Sequence, residues 1–310
     1  MLYRHAGHVP SAVFDDIGEM EASVIGSSVC NVCFRKCNLD EGQLGACKAR
    51  IGAKDGAKAG SEPINYGQLT SLALDPIEKK PLSMFYPGSY IVSVGSFGCN
   101  LKCPFCQNSS ISLSDGASKP RTEYCTPEEL CAVAVKYVPQ GNIGVAFTYN
   151  EPLVGYEFVR DTARLIHEAG LKNVIVTNGS TSDMVLDEIL PLTDAMNIDL
   201  KCFNADYYKN VLKGDFEATK NFIRRSSKSC HVELTTLIIP DENDSEEEMR
   251  ELASWVHETE EESGKSIPLH VTRFFPRSDY SDRQPTPVDR VYRLAEVARE
   301  KLKFVFEGNC

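Results

Sequence analysis

From residue 90 to the C-terminus the chain alternates short β-rich runs with helical stripes, and this alternation restricts the fold more than any other feature. Strand-like runs recur at 90–96, 143–149, 173–177, 195–200, 231–239 and 268–274. Between them, apolar residues fall at helical spacing. Leu130, Val133, Ala134 and Tyr137 follow a Thr126 N-cap with Pro127 at the first helical position and Glu129 closing a capping box. Phe158, Thr162, Leu165, Ile166 and Ala169 form a second stripe, stopped by Gly170. Further helical stretches cover 182–190, 217–228, 245–257 (with Ser245 and Glu248 as another capping box) and about 288–301. Six βα units in succession predict a parallel sheet with right-handed crossovers. They are too few for a closed eight-strand barrel and enough for an open one, so the expected fold is α/β, a partial, open (β/α)6 barrel. Residues 1–85 are expected to form a Cys-rich N-terminal lead-in, and 86–310 the barrel.

In such folds chemistry gathers at the C-terminal ends of the strands. Polar residues do fall there. A cluster of cysteines follows the first run, Asn150-Glu151-Pro152 the second and Thr177-Asn178-Gly179 the third. Asp199 and Lys201 end the fourth, and His270 and Arg273 lie on the sixth. Taken singly, each has a plainer reading: Asp199 with Lys201 as a strand-end ion pair, His270 as a core histidine, Thr177-Asn178 as a helix cap.

Composition, 42% hydrophobic and 25% charged, is that of a globular protein. No apolar run approaches the ~20 residues of a membrane-spanning helix. The start, Met1-Leu2-Tyr3-Arg4-His5, leads into mixed polar sequence without a secretory apolar core, so a cytoplasmic protein is expected. A net charge of −11 argues against sequence-independent nucleic-acid binding, which needs a basic footprint.

Twelve cysteines are many for a compartment where disulfides are rare, and their spacing sorts them. Cys125, Cys131, Cys202, Cys230 and Cys310 are isolated, and inert buried thiols are expected at Cys131, Cys202 and Cys230. Cys99, Cys103 and Cys106 lie within eight residues as C-x3-C-x2-C. Three thiolates cannot complete a four-ligand structural zinc site. They can hold three irons of a 4Fe–4S cluster and leave the fourth open to a small molecule. Cys30, Cys33, Cys37 and Cys47 supply four ligands, with Gly42 and Gly45 in the last loop. Zinc and an auxiliary iron–sulfur cluster both suit that spacing, which does not separate them; a structural lead-in tips the reading slightly towards zinc. A closed site of this kind is expected to stabilise the lead-in rather than react.

The C-x3-C-x2-C triad is the signature of radical S-adenosylmethionine enzymes, and the chain resembles those of the AmmeMemoRadiSam system, relatives of pyruvate formate-lyase activating enzyme. The stretches that carry the resemblance are Tyr66-Gly67, the block 75–82 (DPIEKKPL), Gly98-Cys99-Asn100, Cys106-Gln107-Asn108, and 147–152 (FTYNEP). They continue with 197–201 (NIDLK), 270–276 (HVTRFFP) and Glu307-Gly308-Asn309. The resemblance implies a 4Fe–4S cluster on Cys99, Cys103 and Cys106 with S-adenosylmethionine on the open iron. Reductive cleavage would yield methionine and a 5′-deoxyadenosyl radical that abstracts hydrogen from a peptide or protein target. A reductant such as flavodoxin or ferredoxin is implied as the partner. Asn150 and Glu151 stand where the family has a Gly-Gly-Glu turn meeting the methionine amino group; the glycines are absent, leaving Asn150 to offer a side-chain contact. Asp199 and Lys201 match the motif that binds the methionine end. His270 matches a histidine near the ribose, and Phe105 is placed for adenine. Thr177 and Asn178 complete the implied cofactor contacts. Val176 replaces the aspartate of a monovalent-cation site, so that ion is not expected. RNA modification by the same cofactor is the alternative enzyme class, weighed against by the acidic balance. A passive electron carrier would have no need of an open iron.

Overall fold

All six expected strands form, each within a residue or two of its expected ends, and they line up side by side in chain order. The computed structural model describes residues 27–53, 58–113 and 120–310; the opening residues read above for a secretory core lie outside these. We label the strands of the main sheet β1 (Ser71–Pro76), β2 (Tyr90–Gly95), β3 (Asn142–Phe147), β4 (Lys172–Thr177), β5 (Ala195–Asp199), β6 (His231–Ile238), β7 (Leu269–Arg273) and β8 (Val305–Gly308). The spatial order is the sequence order, from β8 at one edge to β1 at the other, and the two edges do not pair. Every neighbouring pair from β2 to β8 is parallel, while β1 runs antiparallel to β2. The open (β/α)6 barrel is therefore present and carries one extra strand at each edge.

Both extra strands escape the sequence pattern. The β1 strand lies in the segment assigned to the lead-in and pairs with β2 along its whole length, from Ser71 opposite Gly95 to Pro76 opposite Tyr90. The sheet thus begins before residue 86.

The crossover helices are α1 (Pro127–Lys136), α2 (Tyr156–Glu168), α3 (Asp183–Ile189), α4 (Phe216–Ser229), α5 (Glu246–Ser263) and α6 (Val288–Arg299). At α1 the capping box is complete: Glu129 N–H donates to Thr126 Oγ1 and Thr126 N–H to Glu129 Oε2. At α5 it is half a box. Ser245 caps Glu248 N–H, but the Glu248 carboxylate accepts from Phe203 N–H in the loop after β5 instead of turning back to Ser245. One irregularity in the sheet is patched by a side chain: at the register shift between β2 and β3, Asn142 Oδ1 accepts from Val92 N–H.

Ile77, Leu82, Phe85, Ile91, Ala146, Val174 and Ala195 form an apolar floor at the N-terminal ends of the strands. Above it the barrel interior turns polar. Thr235 Oγ1 donates to Asn197 Oδ1, and Asn197 Nδ2 donates to Pro81 O, which ties the 81–84 loop across the barrel. No helix among the described residues is long and apolar enough to cross a membrane. Cys202 and Cys230 are buried, as expected of inert thiols, whereas Cys131 is only half-buried.

Candidate functional site

The C-terminal ends of the strands enclose a cleft of about 440 Å³. Cys99, Cys103 and Cys106 line it together with Phe105, Asn150, Glu151, Thr177, Asn178, Asp199 and Lys201, so the triad and every expected cofactor contact except His270 meet in one place. Lys79, Tyr149, Thr235 and Thr272 complete much of the wall.

The Cys loop leaves β2 through Phe97 and Gly98. Gly98 has φ +92°, and a Cβ there would lie 2.6 Å from Ala49 Cβ and 2.7 Å from Cys47 O, so only glycine fits this turn. Asn150 braces it. Its Oδ1 accepts from Ser96 N–H at 3.0 Å, and its Nδ2 donates to Gly98 O at 3.1 Å and Glu151 O at 3.2 Å. The carboxamide expected to face a ligand is thus occupied in holding the turn that presents Cys99.

Glu151 is used in the same way. Its carboxylate is 2% exposed and accepts from Leu153 N–H, Thr177 Oγ1 (2.8 Å) and Asn178 N–H (2.7 Å). Burial pushes this carboxyl up to about 7 despite those donors. Asn178, held by Glu151, turns its Nδ2 towards Asn100 Oδ1 (2.9 Å) and Cys99 Sγ (3.6 Å). Asn150, Glu151, Thr177 and Asn178 therefore form one hydrogen-bonded wall behind Cys99.

Asp199 and Lys201 leave the end of β5 and pair at 2.7 Å, both partly exposed to the cleft. Burial opposes the Lys201 charge, but Asp199 and the nearby Cys103 and Cys106 sulfurs hold its ammonium above the ordinary lysine value. For the thiols themselves burial dominates, raising Cys103 to about 12 and Cys99 well above the ordinary value. Ligation to iron would remove those protons outright. Phe105, 3% exposed, packs against Tyr280 with ring centroids 6.1 Å apart.

His270 does not reach the cleft wall. It points into the barrel one step below Thr272, where its Nε2 lies 2.7 Å from Glu233 Oε2 and its ring stacks on Phe306. Glu233, fully buried, also meets His231 Nε2 and accepts from Ser83 and Met84 N–H. Burial alone would raise this carboxyl. Hydrogen bonds from His231, His270 and those backbone groups outweigh it and pull Glu233 down to about 2.

Two further groups were not visible in the sequence as site residues. Asp75 accepts from Lys80 Nζ (2.9 Å), Tyr149 OH (2.8 Å) and Lys79 Nζ (3.1 Å), with the Lys80 ammonium over the Tyr149 ring at 4.8 Å. This cluster holds Tyr149 at φ +75° on the cleft wall. The density of charge in the block 75–82 was the available signal. The other is Arg50, 1% exposed, which spans Glu157 with two hydrogen bonds (2.7 and 2.9 Å) and also donates to Ser61 and to Val154 O. Nothing local distinguishes Arg50 from a solvated arginine.

Three soft thiolate donors opening on a cleft of this size suit a cluster with one unligated iron. Among the described residues, no group of three or more His, Cys, Asp and Glu side chains is already gathered as a single ion would hold them.

Comparison with known proteins agrees with this chemistry. The family model described as the radical SAM superfamily matches residues 93–253, just over half of the 310 residues. An uncharacterised protein of Methanocaldococcus jannaschii is 40% identical over 282 residues, covering 90% of this chain and 80% of that protein. The pyruvate formate-lyase 1-activating enzyme of Escherichia coli is 26% identical over 167 residues, 52% of this chain and 66% of that enzyme. The solved structure of Streptococcus suis SuiB shares the fold with TM-score 0.53 at 14% identity, over 70% of this chain and 48% of SuiB. On the family match and the 40% identity along most of its length, this chain belongs to the radical SAM superfamily, with a 4Fe–4S cluster and S-adenosylmethionine as cofactors.

Proposed function

We propose that this chain uses S-adenosylmethionine to generate a radical that takes hydrogen from a peptide or protein target, in the manner of a glycyl-radical-enzyme activase. The observation that carries the reading is the shared cleft: Cys99, Cys103, Cys106 and the Asp199–Lys201 pair line one wall-to-wall space at the strand ends. When bound, the cluster supplies one electron, delivered by a donor such as flavodoxin or ferredoxin, that splits the sulfonium into methionine and a 5′-deoxyadenosyl radical, which ends as 5′-deoxyadenosine once it has the target's hydrogen.

The residues of this chain do the positioning. Asp199 offers a carboxylate to the methionine ammonium, and Lys201 an ammonium to its carboxylate. Phe105 gives the adenine an apolar face. Asn150, Glu151, Thr177 and Asn178 act one layer back, fixing Cys99 and the cleft wall. His270 acts lower still, with Glu233, in holding the 81–84 loop.

Anaerobically reconstituted protein given dithionite is expected to release 5′-deoxyadenosine and methionine. If the Cys99→Ala/Cys103→Ala/Cys106→Ala variant released as much, the reading would fail. Deuterium passing into 5′-deoxyadenosine from a labelled peptide pool, and not from labelled RNA, identifies the target class.

A further inference from the structure

The lead-in cysteines come from two tight turns that face each other. Cys30 N–H donates to Cys37 O at 2.9 Å, and Lys36 N–H to Cys33 O at 3.2 Å, so three of the thiols stand on one short loop. The second turn runs through Gly45 and Cys47, with Lys48 N–H donating to Gly45 O at 3.0 Å and Gly45 N–H to Arg50 O at 2.8 Å. All four cysteines line a single pocket of about 10 Å³, closed by Val32, Leu39 and Val154 among others. Ser61 Oγ donates to Cys30 Sγ at 3.1 Å, the kind of outer hydrogen bond that supports a thiolate ligand.

Pocket size separates the two candidates that spacing left open. About 10 Å³ is roughly the room of one water. The four thiols are not gathered here as a bound ion would hold them; drawing them onto one ion would fill a space of this size, whereas four irons and four sulfides would have to part the turns. Four soft ligands and no open position are the donor set of structural zinc.

This pocket also backs directly onto the Cys99 turn. Cys99 N–H donates to Cys47 O at 3.1 Å, and Gly98 is packed against Ala49 and Cys47 O with no room for a Cβ. Arg35 Nε donates to Asn100 O at 2.6 Å, and Asn100 Oδ1 in turn accepts from Asn178, which faces Cys99. We propose that Cys30, Cys33, Cys37 and Cys47 hold a single zinc ion, and that this ion positions Cys99 by fixing the turn on which its loop is hung.

The first half is tested on the full-length chain lacking Cys99, Cys103 and Cys106, purified without oxygen. About one zinc per chain is expected, exchangeable for cobalt with the visible spectrum of a four-thiolate site. Iron with sulfide, iron alone, or no metal would each overturn it. This measurement involves no S-adenosylmethionine chemistry, so its failure is distinguishable from failure of the radical reading, on which the second half rests. For that half the triad is kept, and cluster retention is followed by iron content and by the electron paramagnetic resonance of the reduced protein. Cys33→Ser is expected to lose zinc and to bind the cluster roughly 10- to 100-fold more weakly, the usual cost of losing outer support. Arg35→Ala keeps all the thiols and cuts one tie to the turn; it is expected to retain zinc and weaken the cluster in the same direction. Unchanged cluster affinity in both variants would overturn the coupling.

Discussion

The two cysteine sites differ in enclosure more than in chemistry. The triad stands on one loop at the mouth of a cleft of about 440 Å³, with a charged pair close by and a wall of side-chain amides behind it. The quartet sits between two turns around a pocket of about 10 Å³, lined by aliphatic side chains and by Arg35 and Arg50. Both sets are soft thiol donors, so donor type does not tell a reactive centre from a structural one. The number of ligands and the space left at the metal do. The sites also touch, through the backbone hydrogen bond from Cys99 N–H to Cys47 O.

The sharpest break between them is catalytic. Cys103→Ala is expected to reduce 5′-deoxyadenosine formation to background, while Cys33→Ser retains turnover when iron and sulfide are supplied in excess. Equal loss in both, measured by product chromatography, would erase the distinction.

Next in size is the docking of the quartet module. Arg50→Ala strands the Glu157 carboxylate, which is largely buried. Breaking a buried pair from one side costs about 3–5 kcal/mol, read as a lowered denaturation midpoint. The Arg50→Ala/Glu157→Ala double variant is expected to recover part of that loss. A double variant no more stable than the single one would mean that Arg50 acts through Ser61 and Val154 rather than through charge.

Glu233 provides a control whose hydrogen-bond partners, His231, His270, Ser83 and Met84, belong to neither cysteine site. Its carboxyl lies at about 2 in the folded protein against an ordinary 4.5, so its stabilisation is fully present above about pH 4.5 and fades as pH falls towards 2. Glu233→Gln is expected to cost on the order of 3 kcal/mol at neutral pH and to flatten the stability curve between those values, with metal content unchanged. An unaltered acid limb would assign the acid sensitivity to other carboxylates.

The smallest effect sharpens the cleft side. Asp199→Ala and Lys201→Ala should keep the cluster and weaken S-adenosylmethionine binding by about 1.5–3 kcal/mol, or roughly ten- to a hundredfold, by anaerobic titration. Unchanged affinity in both would make the 2.7 Å pair a strand-end ion pair and nothing more.

How far these features could be read from the sequence depends on how local they are. The six strands and their helices follow from apolar periodicity over a few residues, and the triad from ligands only three or four positions apart. The edge strands β1 and β8 carry no such mark, because most of their residues stay half-buried and no strict alternation of buried and exposed positions develops. Asn150 shows a different limit. Its place on the cleft was legible, but its partners, Ser96 and Gly98, lie more than fifty residues earlier and reverse the role its position suggested.

His270 is the clearest case of tertiary structure deciding a role. Its strand and register follow from alternation along β7, yet whether that inward position lies at the rim or below it depends on the relative heights of neighbouring strands and on Glu233 reaching across from β6. The Arg50–Glu157 pair and the Cys47–Cys99 contact are likewise set by how the lead-in lands on the barrel. From its sequence alone this protein had its alternating barrel and its groups of three and four closely spaced cysteines, because periodicity and residue spacing are properties of short stretches of chain. Which thiols face open space, which polar atoms are already spent on one another and which site leans on the other were decided only on folding, because burial and hydrogen-bond partners are shared out among residues that the chain keeps far apart.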